Sequence, residues 1–415
     1  MKKNRKQDKN KVLVDVGSTL IKYFRLDSQG SISDAGYFAR DYDQLVGNQT
    51  IAILQNEIGY DDSCDLVRIC SSANGGLKVG ILGYTVQFSA RWAARAAANS
   101  GANIAFVADV ENFSRSLLVP VDILVIVGGI EQSPISRQLD WLQIVKSLSI
   151  ECDAFIFAGY GRLAEPVKKN WPKALIIDNV LGEDMRWQGQ PLVNILRQAY
   201  LKDLVHNKGI SGLQEFSEVP ILPTPAIVQE SYNAILSGIS HMSLLSPLIL
   251  LDVGGATTDV FYGSELINDN EGHHSYLSIN RHVFTHLGVS VSRESLLEEL
   301  SLHERLGEFL RALDFKESER QFLALKEGVT DWVTPRFLAE ACFFLALDRC
   351  FAGLPDGHKL ALDRVESILI TGGASQLCDS ERLCRIFRLC GADHAVCILD
   401  YDYSTWIEGM MRVTP

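Results

Sequence analysis

The chain has 415 residues, of which 47% are hydrophobic and 22% charged, a composition typical of a globular protein with room for two or three domains. The formal net charge of −12 argues against a general nucleic-acid partner. A membrane span is not expected either, because the longest apolar stretch, residues 117–130, is short and contains Pro120 and Asp122.

The N-terminus and the cysteines indicate where such a protein works. Residues 1–11 are rich in lysine and predict a basic, disordered tail, followed by too few apolar residues for a signal peptide. The nine cysteines favour free thiols in the cytoplasm. The last four lack the close pairs of zinc and iron–sulfur sites, and two of them, Cys390 and Cys397, are expected to face the core.

In chain order, the predicted elements alternate between strands and helices. A strand meander over residues 12–40 is followed by strands at 68–72, 121–127, 154–157 and 175–178 and by helices at 85–100, 140–149, 292–313 and 336–352, with a mostly helical region at 190–240. Small residues follow each strand, which indicates an α/β fold with sites at the carboxyl ends of strands. A boundary near residue 245 gives two predicted parts, 12–245 and 246–415.

Two segments of this pattern are closely similar. VLVDVGSTLIKYF (Val12–Phe24) and LILLDVGGATTDVF (Leu248–Phe261) both read as a buried strand, an aspartate, a glycine turn and a second strand. Their aspartates, Asp15 and Asp252, lie 237 positions apart. Two ordinary hairpins would also show this pattern. The pairing favours two similar halves that close on one phosphate-bearing ligand.

The chemistry of the two turns suits a phosphate. Glycine lets the backbone approach a ligand closely, so that successive N–H groups point at one anion, and hydroxyls add further donors. The candidate phosphate-binding residues are Gly17, Ser18, Thr19, Gly254, Gly255, Thr257 and Thr258. Asp15 and Asp252 would act through a hydrated Mg²⁺, because carboxylates repel phosphate directly. Lys22 either reaches a phosphate or is an exposed strand lysine, and Asp259 either orients the attacking water or serves strand pairing.

A third segment, VESILITGGASQL (Val365–Leu377), again runs from a strand into two glycines, Gly372 and Gly373. The order of the three segments resembles that of the ATPase superfamily containing actin, heat-shock chaperones and sugar kinases. The resemblance implies two actin-like (ribonuclease H-like) α/β domains that close on a nucleotide cleft. It also implies that the two turns hold the β- and γ-phosphates of ATP and that Gly372 and Gly373 flank the adenosine.

Further segments narrow the resemblance to the accessory proteins called MutL or GlmL. Segments similar to that family occur in order at residues 70–102, 121–131, 156–161, 177–184, 193–211, 221–228, 248–261 and 400–411. The first part would then carry an inserted α/β and helical segment. The family implies ATP and Mg²⁺ as cofactors and subunits of an adenosylcobalamin-dependent mutase, such as glutamate mutase or an aminomutase, as partners. The implied activity is reactivation of that mutase by release of damaged cobalamin.

Two other functions stay open on the sequence, a small-molecule kinase of the same fold and a non-hydrolysing scaffold bound to its mutase. One segment, Asn280–Arg293, departs from the family. It keeps Leu287 and Gly288 but has Thr285 and His286 where acidic residues are usual, and Val289 in place of a methionine. If this segment were helical, His282 and His286 would lie one turn apart, a spacing that either binds a metal or is merely polar. ATP binding is therefore a firmer expectation than hydrolysis.

Overall fold

The computed structural model describes residues 9–17, 19–72, 77–85, 89–100, 102–109, 120–129, 134–148, 150–182, 188–207, 210–268, 279–284, 286–313, 318–354 and 359–414. The predicted tail therefore lies mostly outside the described residues. Its last two residues belong to the first strand, which begins at Asn10, two positions earlier than expected.

The first sheet has five strands in the order β10-β4-β1-β2-β3. Its strands are β1 (Asn10–Val16), β2 (Leu20–Leu26), β3 (Ile32–Ala39), β4 (Asp65–Ser71) and β10 (Leu222–Pro223). The pairs β1–β2 and β2–β3 are antiparallel, whereas β4 runs parallel to both β1 and β10. Val12, Leu13 and Val14 are fully buried, as the uninterrupted apolar run predicts for a strand in the middle of a sheet.

The second sheet repeats this arrangement in the order β13-β12-β11-β14-β15. Its strands are β11 (Leu248–Val253), β12 (Thr258–Gly263), β13 (Ile279–Phe284), β14 (Ser367–Thr371) and β15 (Val396–Leu399). The first three strands are antiparallel neighbours, and β14 is parallel to β11 and β15. The two sheets thus share one topology, which confirms the predicted α/β fold with two similar halves.

The insert is a third sheet, which lies in the chain between β4 and β10. All of its strand pairs are parallel, in the order β6-β5-β7-β8-β9. Its strands are β5 (Lys78–Gly83), β6 (Asn103–Asp109), β7 (Val121–Gly128), β8 (Cys152–Gly159) and β9 (Leu175–Ile177). Residues of β1 and of β5 and β7 belong to one hydrophobic cluster, so the insert shares a core with the first sheet.

Twelve helices in the described residues cover and connect these sheets: α1 (Val46–Ala52), α2 (Arg91–Ser100), α3 (Ile135–Ser147), α4 (Ala164–Asn170), α5 (Gln190–Asn207), α6 (Thr224–Leu236), α7 (Arg293–Leu302), α8 (Leu306–Ala312), α9 (Ser318–Lys326), α10 (Pro335–Ala352), α11 (Ser380–Leu389) and α12 (Ser404–Arg412). Among them there is none with the length and apolar character that crossing a membrane would require. All nine cysteines are free, and the prediction for Cys390 and Cys397 is confirmed, since Cys390 is buried in the core of the second half and Cys397 packs against it.

The prediction of a single helix over residues 292–313 is wrong, because the chain forms two helices, α7 and α8, with a break at His303. Here the backbone is extended, and the imidazole contacts the Asp348 carboxylate, with Nε2 and Oδ2 separated by 3.3 Å. The other ring nitrogen, Nδ1, accepts a hydrogen bond from the Arg305 amide. These contacts stabilise the turn between α7 and α8. The apolar residues of the two helices form one continuous pattern in the sequence, which is why a single helix was expected.

Two helices are exchanged between the halves. Helix α6 follows β10 of the first sheet but packs on the second sheet, where Tyr232 is buried against Leu248 and Phe261. Helix α12 follows β15 of the second sheet but packs on the first, where Trp406 lies beside Phe24. The exchanged helices also pack on each other, with Gly409 so close to α6 that a Cβ there would overlap a backbone carbonyl. They connect the halves physically.

Candidate functional site

A cleft with a volume of about 760 Å³ lies between the first and second sheets and is lined by both. Eleven of the thirteen predicted site residues line it: Asp15, Gly17, Thr19, Lys22, Asp252, Gly254, Gly255, Thr257, Asp259, Gly372 and Gly373. Of the other two, Ser18 lies outside the described residues, and Thr258 does not line the cleft. The structure therefore brings together residues that are as much as 358 positions apart, from Asp15 to Gly373.

The two glycine turns have the same internal hydrogen bond. The amide of Gly17 donates to the carbonyl of Leu20, and the amide of Gly254 donates to the carbonyl of Thr257, both at 2.9 Å. A Cβ on Gly17 would lie 2.7 Å from the Leu20 carbonyl oxygen, so this tight turn requires glycine. Because both amides are engaged within their turns, Gly17 and Gly254 contribute close backbone approach rather than N–H donors.

The turns of the two halves meet across the cleft. A Cβ on Gly255 would lie 2.9 Å from the Cγ2 atom and 3.2 Å from the Oγ1 atom of Thr19. A small anion at this point can therefore contact donors of both sheets at once. The structure thus brings together the two turns of the similar segments, and their binding of one phosphate stays a prediction.

Consecutive threonines in the second turn face opposite ways. Thr257 lines the cleft, whereas Thr258 is fully buried and donates its hydroxyl to the carbonyl of Leu287 at 2.9 Å. Thr258 therefore braces the turn from behind and does not reach a ligand in the cleft. Asp259, next along β12, again lines the cleft, as expected from the alternation of side chains along a strand.

The segment that departs from the family supports the second turn. The amides of Val289 and Ser290 donate to the carbonyls of Gly254 and Gly255, and the hydroxyl of Ser292 donates to the Ala256 carbonyl at 2.6 Å. The carbonyls of the turn are thereby satisfied on its outer side. Gly288 packs directly on Ala256, where a Cβ would lie 2.5 Å from the Ala256 carbonyl carbon. Apart from the Ser292 hydroxyl and the missing side chain of Gly288, the segment fixes the turn through its backbone, and side-chain differences elsewhere leave these contacts intact.

The helical interpretation of His282 and His286 is wrong. His282 belongs to the edge strand β13, and His286 pairs with Glu299 on α7, with Nε2 and Oε2 2.8 Å apart. Because β13 ends at Phe284, before His286, the two histidines do not have the spacing of one helical turn. In the described residues there is also no cluster of three or more His, Cys, Asp or Glu side chains that could hold a metal ion.

Three carboxylates and two cationic side chains are among the described residues that line the cleft. Lys22 lies 4.0 Å from Asp15 and over the ring of Tyr403, and Arg281 forms a buried ion pair with Asp259, with its Nη2 atom 2.5 Å from Oδ1. Burial and the charge of Asp259 raise the pKa of Asp252 to about 7. Burial likewise raises the pKa of Asp259, although the nearby positive charge of Arg281 acts to lower it. A cation entering the cleft would relieve this concentration of negative charge.

The donor set fits Mg²⁺. Asp15 and Asp252 are the carboxylates of the two equivalent strands, β1 and β11, and they face the cleft together with threonine hydroxyls. Mg²⁺ takes oxygen ligands, usually a carboxylate or two with water and phosphate oxygens. With a pKa of about 7, the Asp252 carboxyl is partly protonated near neutral pH, and a bound divalent cation would favour its loss of the proton.

Arg281, Thr224 and Trp406 are among the cleft residues that the sequence did not indicate. Arg281 lies on β13, and Thr224 and Trp406 lie in the first turns of the exchanged helices, outside the glycine turns. A glycine-turn pattern carries no information about these residues. The strand alternation of β13, read against β12, could have indicated Arg281, because Arg281 and Val283 both line the cleft.

One solved structure that aligns with nearly the whole chain is the activator of the 2-hydroxyisocaproyl-CoA dehydratase from Clostridium difficile with bound ADPNP. It is 8% identical in sequence, with a TM-score of 0.34, and the alignment covers 97% of this chain and 95% of that one. Another is a glycerol dehydratase reactivase, 10% identical, with a TM-score of 0.36 and coverage of 97% and 99%.

Comparison of sequences is more informative. The chain is 28% identical over 265 residues to Protein MutL of Clostridium tetanomorphum, an alignment that covers 60% of this chain and 56% of the relative. The chain thus spans about half the length of that relative. Residues 11–374 match the model of the MutL protein family. Because this match covers most of the chain, the protein belongs to the MutL protein family.

Proposed function

We propose that the protein binds ATP with Mg²⁺ in the cleft and hydrolyses it to remodel an adenosylcobalamin-dependent mutase, releasing damaged cobalamin. The observation that carries the proposal is the contact between the turns of the two similar sheets, where Thr19 of one meets Gly255 of the other. A ligand phosphate there contacts both halves, so its presence or absence can change how they are arranged.

In this proposal the donors of Thr19, Gly255 and Thr257 hold the β- and γ-phosphates, with Ser18 as a further candidate, and Lys22 adds a positive charge. Asp15 and Asp252 hold Mg²⁺ through water. When bound, Mg²⁺ neutralises charge on the phosphate oxygens. Asp259 is held by Arg281 and is available to orient the attacking water. Gly372 and Gly373 lie beside the adenosine.

Nucleotide binding would act through the exchanged helices. A ligand shifts a conformational equilibrium only by binding one state more tightly than the other. The γ-phosphate provides that difference, because it touches both turns only when the halves are closed, and hydrolysis removes it. The motion of the two halves would then be transmitted to a partner protein.

The carboxylates of the cleft favour an ATPase over a kinase. Among the described residues that line the cleft, the carboxylates are Asp15, Asp252 and Asp259, and all three belong to the two phosphate turns. A kinase usually places a further base beside the hydroxyl of its substrate. Membership of the MutL family supports the mutase as partner, since the resemblance carries that association.

The proposal is tested with the full-length protein and purified mutase subunits. ATP binding is measured by calorimetry, hydrolysis by phosphate release, and association by co-purification with and without ATP. We expect ATP binding that requires Mg²⁺ for full affinity, slow hydrolysis, and mutase association that changes with the nucleotide. Phosphorylation of a small metabolite faster than hydrolysis would identify a kinase instead. Association with the mutase in the absence of any ATP binding would identify a scaffold.

Replacing Gly372 with alanine is expected to weaken ATP binding by at least about tenfold, or roughly 1.4 kcal/mol. Gly372 has a positive φ of 76°, and a Cβ there would overlap the Oδ1 atom of Asp252, so the carboxylate must move. Gly328→Ala is the matched control, because Gly328 has a similar positive φ of 75° but lies outside the cleft, and a Cβ there meets no described atom within 4 Å. Equal ATP affinities of the two variants, measured by calorimetry, would show that the crowding of Asp252 is unimportant.

A further inference from the structure

The carboxylate of Asp15 is held from behind by two side chains. Thr224 donates its hydroxyl to Oδ1 of Asp15 at 2.7 Å, and the thiol of Cys70 donates to the same oxygen at 3.5 Å. All three residues are at least nine-tenths buried.

These two side chains connect Asp15 to both exchanged helices. Thr224 is the first residue of α6, the helix that leads into the second half. Cys70 is paired with Asp15 in the register of the parallel strands β4 and β1, and its sulfur accepts a hydrogen bond from Nε1 of Trp406 at 3.2 Å. Trp406 belongs to α12, the helix that returns from the second half, and its side chain also lines the cleft.

The far end of α12 is fixed to the first sheet. The guanidinium of Arg68 on β4 donates to the carbonyls of Met410 at 2.7 Å and of Val413 at 3.1 Å, and it pairs with Glu218 at 2.6 Å. Because Arg68 holds the C-terminal end, a change in the angle of α12 displaces mainly its N-terminal end. That end carries Trp406, which precedes Met410 and Val413 by about one and two helical turns.

We propose that Thr224 and Cys70 are positioning residues for Asp15, which make the orientation of this carboxylate depend on the angle between the two halves. Movement of α6 displaces Thr224 directly, and movement of α12 displaces Cys70 through Trp406. Asp15 then reaches its Mg²⁺-holding orientation at one angle only, so closure of the halves and completion of the metal site are a single event. This inference rests on the proposed function.

The test compares Thr224→Val, which keeps the shape but loses the hydroxyl, with Thr224→Ser, which keeps the hydroxyl. Calorimetry measures the affinity of each full-length variant for ATP in Mg²⁺ and for ATP in EDTA. Hydrogen bonds to charged groups are stronger than those between neutral groups. We therefore expect Thr224→Val to bind ATP in Mg²⁺ at least about tenfold more weakly than Thr224→Ser. In EDTA the two affinities should agree within about threefold, because Asp15 does not contact phosphate directly.

Trp406→Phe tests the link through Cys70, since it keeps an aromatic ring and removes the N–H. We expect Trp406→Phe to weaken ATP binding in Mg²⁺ less than Thr224→Val does. Added to Thr224→Val, it should cause a smaller further loss of affinity than it causes in the wild type, because both changes act on Asp15. Full additivity would overturn the link. The positioning role alone would be overturned if the two Thr224 variants bound ATP equally well in Mg²⁺. It would also be overturned if Thr224→Val weakened ATP binding as much in EDTA as in Mg²⁺. A wild-type protein that binds no ATP in Mg²⁺ would overturn this inference and the proposed function together.

Discussion

Asp252→Asn is expected to abolish ATP hydrolysis and, at the same time, to make the nucleotide-free protein more stable at neutral and alkaline pH. Hydrolysis is lost because a neutral amide cannot replace the carboxylate that would hold Mg²⁺. Stability rises because burial, then Asp259, raises the pKa of Asp252 from 3.8 to about 7, which shows that its negative charge is unfavourable in the folded state. The variant removes this charge and keeps nearly the same shape.

The sign of the pH dependence follows from the direction of the shift. Below the unfolded value of 3.8 both states are protonated and the group has no effect on stability. As the pH rises toward 7, the unfolded state loses its proton while the folded state keeps it, so the folded protein becomes progressively less stable. Above that range the penalty is complete. The gain in melting temperature of Asp252→Asn should therefore be small near pH 4 and largest at about pH 8, where we expect at least about 2 °C.

Asp65→Asn provides the matched control. Asp65 is equally a strand aspartate with little exposure, but it lies outside the cleft and is stabilised by Arg25, at 3.4 Å, and by the amide of Asp61. The same substitution there should lower the melting temperature and leave hydrolysis unchanged. Thermal unfolding at several pH values, together with phosphate release, measures both effects. A variant of Asp252 that melts lower than the wild type at about pH 8, or that still hydrolyses ATP, would contradict the role given to this carboxylate.

The sequence was sufficient for the parts of the site that depend on local pattern. A buried strand, an aspartate and a glycine turn are adjacent in the chain, so both turns and the Gly372 segment could be located without a structure. The same local pattern could not separate Thr257 from Thr258. Strand alternation allows only one of two consecutive residues to face the cleft, and deciding which one requires the register of β12 with its neighbours.

The remaining parts depend on contacts between distant positions. The pairs Asp15–Thr224 and Cys70–Trp406 join residues separated by 209 and 336 positions, and no periodicity links them. The break at His303 escaped prediction for the same reason, since its partner Asp348 lies on another helix. In contrast, three of the five parallel strands of the insert, β7, β8 and β9, were predicted, because continuous apolar runs followed by small residues are a local feature. The other two strands, β5 and β6, were not predicted.

Arg281→Gln is expected to cause the largest loss of stability among these substitutions, about 3–5 kcal/mol, because it leaves the Asp259 carboxylate buried without its charged partner. The side chain of Arg281 is 4% exposed and that of Asp259 is 6% exposed, and two guanidinium nitrogens lie 2.7 Å and 2.5 Å from the same carboxylate oxygen. Urea unfolding of the full-length protein measures the loss. Hydrolysis should fall as well, since Asp259 would lose the contact that orients it toward the cleft.

The double variant Asp259→Asn with Arg281→Gln separates these two effects. With both charges removed, neither partner is left as an uncompensated buried ion, so more than half of the lost stability should return. Hydrolysis should not return, because an amide at position 259 can neither accept a proton from water nor carry the charge of the carboxylate. If the double variant lost as much stability as the two single variants together, Arg281 and Asp259 would act independently. If hydrolysis returned in the double variant, the pair would serve only to support strand β12. The expected result instead assigns the pair both tasks, in which Arg281 stabilises the buried carboxylate that the second turn presents to the cleft.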